Sequence, residues 1–87
     1  MATYEVALKA SVLKDLKRLG SADRDRCIAA MRSLAHAPRP RGCEKLSAQE
    51  RYRIRVGDLR VVYEVRDTQL VVWVVKVAHR RDVYRRR

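Results

Sequence analysis

Tyr52-Arg53-Ile54-Arg55-Val56-Gly57-Asp58-Leu59-Arg60-Val61-Val62-Tyr63 alternates in side-chain character on either side of a Gly-Asp pair. A period of two marks strands with one buried face. A Gly-Asp step between two such runs marks a tight hairpin. The first run, about 51–56, sends Tyr52, Ile54 and Val56 toward a core and Arg51, Arg53 and Arg55 away from it. The second, about 59–66, sends Leu59, Val61, Tyr63 and Val65 inward, with Arg60, Val62, Glu64 and Arg66 on the other side. Three guanidiniums on alternate positions therefore share one sheet face. Like charges placed side by side do not stabilise a fold, so the array calls for an anionic partner. Planar, forked donors suit phosphate oxygens better than point charges do.

Working outward, Asp67-Thr68 separates the hairpin from a third run, about 69–77. Its core, Leu70-Val71-Val72-Trp73-Val74-Val75-Lys76-Val77, is apolar on both faces and is expected to be central in the sheet, with Trp73 and Tyr63 in the core. Upstream, Thr3 to Lys9 alternates and predicts a first strand carrying Tyr4, Val6 and Leu8 on one face. Val12, Leu13, Leu16 and Leu19 then recur at helical spacing. Gly20 suits a left-handed helix end and Ser21 a cap for the next helix. That helix carries the stripe Cys27, Ile28, Met31, Leu34 and Ala35, and Pro38 stops it. Pro38 to Cys43 reads as a loop. The expected fold is α+β: an N-terminal strand, an antiparallel helical hairpin, then a three-stranded antiparallel meander completing a small four-stranded sheet. A short basic C-terminal tail or helix follows, and residues 1–87 read as a single domain.

The charge narrows the partners. The 87 residues hold 21 Lys and Arg against 10 Asp and Glu, a net charge of +11. The excess is densest in the C-terminal part, where the arginine array lies. A balance of this kind points to nucleic acid or to an acidic protein. Cys27 and Cys43 are too far apart for a zinc site and have no CxxC or His-x3-His support, so neither a metal nor a cofactor is expected. They read as thiols in a reducing cytosol. No signal peptide and no apolar run of membrane-spanning length is visible, so a cytoplasmic location without membrane contact is expected.

Two stretches carry a family resemblance. Tyr52 to Tyr63 looks like the central hairpin of the RelE branch of the RelE/ParE bacterial toxin superfamily, and Val77-Ala78-His79-Arg80-Arg81-Asp82-Val83-Tyr84 looks like its C-terminal signature. The order of elements is similar along essentially the whole chain. The resemblance implies the toxin of a toxin–antitoxin system. Such a toxin is an mRNA interferase that enters the ribosomal A site, cuts the bound codon, halts translation and is held inactive by an antitoxin. It implies catalytic roles for Arg53 and Arg55, which match the alternating basic strand positions, for Arg60, which opens the next strand, and for Arg80 and Tyr84. Arg51, His79, Arg81 and Arg85 are expected to contact RNA. The chain departs from well-studied members in having Arg rather than Lys at 53 and 55. Its segment between Arg80 and Tyr84 is also shorter than in some members, so Arg81 could take the role given to Arg80.

Metal-free RNA cleavage uses the ribose 2′-OH as nucleophile and leaves a 2′,3′-cyclic phosphate and a 5′-OH. It needs positive charge for the phosphorane oxygens, a proton acceptor and a proton donor. Arg53, Arg55, Arg60 and Arg80 can supply the charge, but a guanidinium with pKa above ~12 is a poor base. Tyr84 and His79 are the candidate acceptors, and neither is a third option in which the ribosome supplies the geometry. The resemblance favours Tyr84, which could also stack on a base. Two other functions compete: a ParE-like toxin of the same fold that poisons DNA gyrase without nuclease chemistry, and an RNA-binding module without turnover. The expected partners are the ribosome and its mRNA and a cognate antitoxin, acidic or presenting an amphipathic helix.

Overall fold

A computed structural model describes residues 3–46 and 50–79. The elements run β1 (Glu5–Leu8), α1 (Ala10–Lys17), α2 (Ser21–Ser33), β2 (Glu44–Lys45), β3 (Arg51–Val56), β4 (Leu59–Arg66) and β5 (Val71–His79). They form one sheet in the order β1-β5-β4-β3-β2. Only β1 and β5 pair in parallel, and the remaining neighbours are antiparallel. The α+β class and the meander are as expected, but the sheet has five strands and not four. The added strand is the two-residue β2, which pairs Glu44 with Arg53 and Lys45 with Tyr52. Two residues are too short a run to show a period in sequence. The middle strand is β4, while β5 is interior, flanked by β4 and β1.

The inward faces behave as the alternation dictates. Tyr52, Ile54, Leu59, Val61, Tyr63, Val65, Val72, Val74 and Val77 are buried against Val12, Leu16, Cys27, Met31 and Leu34 from the helices. Tyr63 is fully buried on the middle strand, stacks on Tyr52 with ring centroids 5.9 Å apart, and donates to the Pro38 carbonyl at 2.7 Å. Burial pushes its phenol well above the usual range. One expected core residue is not there. Trp73 is half-buried and faces away from the helices, level with Glu64 on β4. Leu13 is also out of the core and 51% exposed, because the helix turns it away from the Val12–Leu16 line.

The helix junction differs from the expectation as well. Gly20 has φ −64° and ψ 159°, an extended residue that caps α2, and its carbonyl accepts the Arg24 N–H at 2.9 Å. It is neither left-handed nor the end of α1, and Ser21 is the first residue of the helix rather than its cap. The hairpin turn does use a glycine's freedom. Gly57 has φ 61° while Asp58 stays at negative φ, the sign pattern of a type II′ turn between Val56 and Leu59.

A bulge interrupts β5. Val62 faces Lys76 while Tyr63 faces Val74, so Val75 is an extra residue on that strand. Beside it, the Val77 N–H donates to the Asp15 carboxylate of α1 at 3.2 Å. Among the described residues, no helix is long and apolar enough to cross a membrane.

The β4–β5 connection spans residues 67–70, longer than the two-residue turn expected, and places Leu70 at φ 55°. A left-handed residue with a Cβ costs roughly 1–2 kcal/mol. Leu70→Gly should therefore raise stability by about 0.5 kcal/mol, once glycine's extra freedom in the unfolded chain is subtracted. Thermal unfolding reads this as a rise of a few degrees. An unchanged or lower midpoint would mean that the contacts of the Leu70 side chain, 41% exposed, outweigh the strain.

Candidate nucleic-acid interface

The strand registers fix a grid on the sheet face that the helices leave uncovered. One row runs Arg55–Arg60–Ala78 across β3, β4 and β5, the next Glu44–Arg53–Val62–Lys76, and a third Arg51–Glu64–Trp73. Directly opposed side chains such as Arg55 and Arg60 have Cβ atoms about 5 Å apart, and a diagonal pair such as Arg53 and Arg60 about 7–8 Å. Arg53, Arg55 and Arg60 therefore gather at the hairpin end of the sheet. Alternation produces this locally, since each strand offers one face to Val12, Leu16 and their neighbours and must send its arginines the other way.

The three guanidiniums have different surroundings. Arg55 is exposed. The Arg60 side chain is nearly covered and curls over the turn, where Nη1 donates to the Leu59 carbonyl at 3.0 Å and the Gly57 carbonyl at 3.3 Å. Arg53 has only 9% of its side chain exposed and forms an ion pair with the Glu44 carboxylate. Burial, and then the nearby charges of Arg60 and Arg55, push the Arg53 guanidinium below its usual range. It stays cationic at neutral pH, because an arginine starts above ~12. Carbonyl ligation and burial hold Arg60 in place. Such preorganisation is what makes a charge effective against a developing anion.

Two expected contacts stand apart from this cluster. Arg51 binds Glu64, with Nε 3.1 Å from Oε2, and Arg66 reaches the other carboxylate oxygen at 3.1 Å. That carboxylate is held below its ordinary range, Arg51 being the main cause. Arg51 thus shares the face but already serves a carboxylate. His79 pairs with Leu59 and alternates with buried Val77, so it points to the helix side of β5, opposite the arginines. Arg80, Arg81, Tyr84 and Arg85 lie outside the described residues.

Sequence reasoning missed a second polar cluster, centred on Arg39 in the Pro38–Cys43 loop. Its Nε donates to the Tyr52 hydroxyl at 2.8 Å, Nη2 to Glu50 at 2.5 Å, and Nη1 and Nη2 to both oxygens of Asp67 at 3.2 and 2.8 Å. Tyr4 donates to Asp67 at 2.6 Å, and Lys45 lies 3.0 Å from Glu50. Arg39 thus ties the start of β3 and the β4–β5 turn to the loop that leads to Glu44, and Asp67 extends the cluster to Tyr4, just ahead of β1. Hydrogen bonds from Arg39, Tyr52 and Lys45 bring the Glu50 carboxyl down to about 2, and Arg39 and Tyr4 lower Asp67.

Fold and surface together define a two-layer α+β protein with a cationic sheet face at one end. The family model for the ParE toxin of type II toxin–antitoxin systems matches residues 6–84. The RelE of a RelE–RelB complex from Pyrococcus horikoshii OT3 is similar over 90% of this chain and 96% of its own, at 30% identity and TM-score 0.79. The isolated E. coli RelE toxin aligns over 87% and 83% at 26% identity and TM-score 0.78. The intact E. coli RelBE complex gives 26% identity over 87% of this chain and 95% of the other, also at TM-score 0.78. No curated protein sequence gives a match. The chain belongs to the RelE/ParE superfamily of type II toxin–antitoxin toxins.

Proposed function

We propose that the chain is a ribosome-dependent mRNA endoribonuclease, held inactive by a cognate antitoxin. The observation that carries this reading is the gathering of Arg53, Arg55 and Arg60 on the helix-free sheet face. A scissile phosphodiester laid across the hairpin end would meet all three guanidiniums. The ribose 2′-OH attacks phosphorus in line, the O–P bond to the 5′ oxygen breaks, and the arginines take up the charge that builds on the non-bridging oxygens. Arg80 and Tyr84 are assigned to this site on the resemblance alone, Tyr84 as the proton acceptor. His79, on the opposite face, is the weaker candidate for that step. The RelE similarities at 26–30% identity support the nuclease branch, and the solved RelE–RelB complexes support an antitoxin partner.

Inducing the chain without its antitoxin should arrest growth and create new 5′ ends inside codons of translated mRNAs, read by primer extension. Arg80→Ala should relieve the arrest in a folded protein. Arrest without any new mRNA ends would overturn the nuclease reading. The family model carries the ParE description, which favours a second reading, inhibition of DNA gyrase. Gyrase-dependent DNA breaks with mRNA left intact would establish that one.

A further inference from the structure

Of Arg53, Arg55 and Arg60, gathered at the hairpin end, Arg53 is the one paired with a carboxylate among the described residues. Glu44 stands opposite Arg53 in the β2–β3 register and pairs with its guanidinium. Their exposures are opposite: 55% of the Glu44 side chain is open, against 9% for Arg53. Glu44 lies on an edge strand two residues long, where few ladder bonds oppose a shift of the backbone that carries it. The loop in front of it is anchored by Arg39, so the carboxylate is delivered to this place by the fold.

A carboxylate and a phosphodiester present similar pairs of anionic oxygens to a guanidinium fork. With Arg55 and Arg60 close by, an unanswered Arg53 would add a third like charge to a poorly solvated cluster. Glu44 answers it in the free protein, and an arriving phosphate would meet the carboxylate as a like charge.

We propose that Glu44 is an intramolecular stand-in for an RNA phosphate. It occupies the Arg53 fork in the free toxin and is exchanged for the scissile or a flanking phosphodiester when RNA binds. This rests on the nuclease reading for the identity of the phosphate, but not for the exchange itself. Glu44 is therefore an affinity-setting residue: it keeps the site quiet toward stray phosphates and yields only to a substrate that also engages Arg55 and Arg60.

The test compares the wild type with Glu44→Gln, and with Glu5→Gln as a control that removes one negative charge from an exposed site on the far edge strand. Inorganic phosphate is titrated while the arginine Nε–H resonances are followed by NMR. Binding to ribosomes carrying a 2′-O-methylated, uncuttable A-site codon is measured across a salt series. Glu44→Gln should bind phosphate at Arg53 about fivefold more tightly, the scale of one screened repulsion, and Glu5→Gln should not. Its ribosome binding should be tighter across the salt series with a slope like that of the wild type, because Arg53 meets one phosphate in both complexes; a slope steeper by about 0.7 would show that wild-type Arg53 keeps Glu44 and would overturn the exchange.

Equal phosphate affinity in folded Glu44→Gln and wild type would overturn the exchange. So would a Glu44→Gln variant that binds as wild type yet no longer cuts, which would make Glu44 the proton acceptor instead. Tighter phosphate binding at Arg53 without any ribosome binding would uphold the exchange and remove the nuclease reading, so the two failures are distinguishable.

Discussion

Arg60→Ala is expected to lower cleavage of a programmed ribosome by about 10²–10³-fold, the effect of deleting one preorganised donor to a developing oxyanion. Three features single out this side chain. It opposes Arg55 directly across the hairpin, its Nη1 is fixed by two backbone carbonyls, and it is 9% exposed. Its conformational freedom is therefore already lost before substrate arrives, so its charge acts at little further entropic cost. The expected signature is a fall in the single-turnover rate at saturating toxin, with a smaller change in ribosome affinity. Circular dichroism and a thermal melt guard against misfolding, since the variant also gives up the bonds to Gly57 and Leu59. A folded Arg60→Ala protein that cuts within threefold of wild type would remove Arg60 from the site. Arg55→Ala, which leaves no buried acceptor behind, is the cleaner companion and should fall in the same range.

Arg39→Ala is expected to destabilise the fold by about 1–2 kcal/mol, after discounting for the exposure of its ion pairs, and to change the pH dependence of stability. The sign follows from the carboxylates it holds. Glu50 is depressed to about 2 and Asp67 is also lowered. A carboxylate with a lowered native pKa adds stability that is complete above its unfolded value, about 4, and fades as pH falls toward the native value. The wild type should thus lose melting temperature between about pH 4.5 and pH 2. Arg39→Ala should be less stable at pH 7 and show a flatter acid limb, because less stabilisation remains to be titrated away. Parallel acid limbs in the two proteins would show that Arg39 is not what holds these carboxylates. Glu64, held by Arg51 and Arg66, contributes to the same window in both proteins and cancels in the comparison.

The contrast between the two polar clusters explains what the chain reveals on reading. Arg53, Arg55 and Arg60 were legible because alternation is a local property: three residues on two strands, joined by a two-residue turn, cannot avoid sharing a face. The inward set from Tyr52 to Val65 followed by the same rule. Arg39 was not legible, because its partners Glu50, Tyr52 and Asp67 lie 11, 13 and 28 positions away and obey no period. Glu44 was missed for the same reason, since only the register with Arg53 reveals it. Trp73 went astray because a strand that is apolar on both sides has no phase to read. His79 was assigned to RNA by its neighbours in sequence, whereas its orientation depends on the count of residues along β5.

That count turns on a single insertion. With Val75 bulged out, the distal part of β5 shows Lys76 and Ala78 to the arginine side and Val77 and His79 to the helices, independently of the phase set at Val72 and Val74. The strand therefore has two halves whose orientation can be chosen separately. Were Val75 drawn into the ladder as an ordinary residue, the distal half would invert relative to the proximal one, bringing an imidazole beside Arg60 and a lysine into the hydrophobic layer. The bulge is thus an address: it decides which chemistry the end of the strand delivers to the cationic surface, and the same letters on an unbulged strand would present a different set of groups.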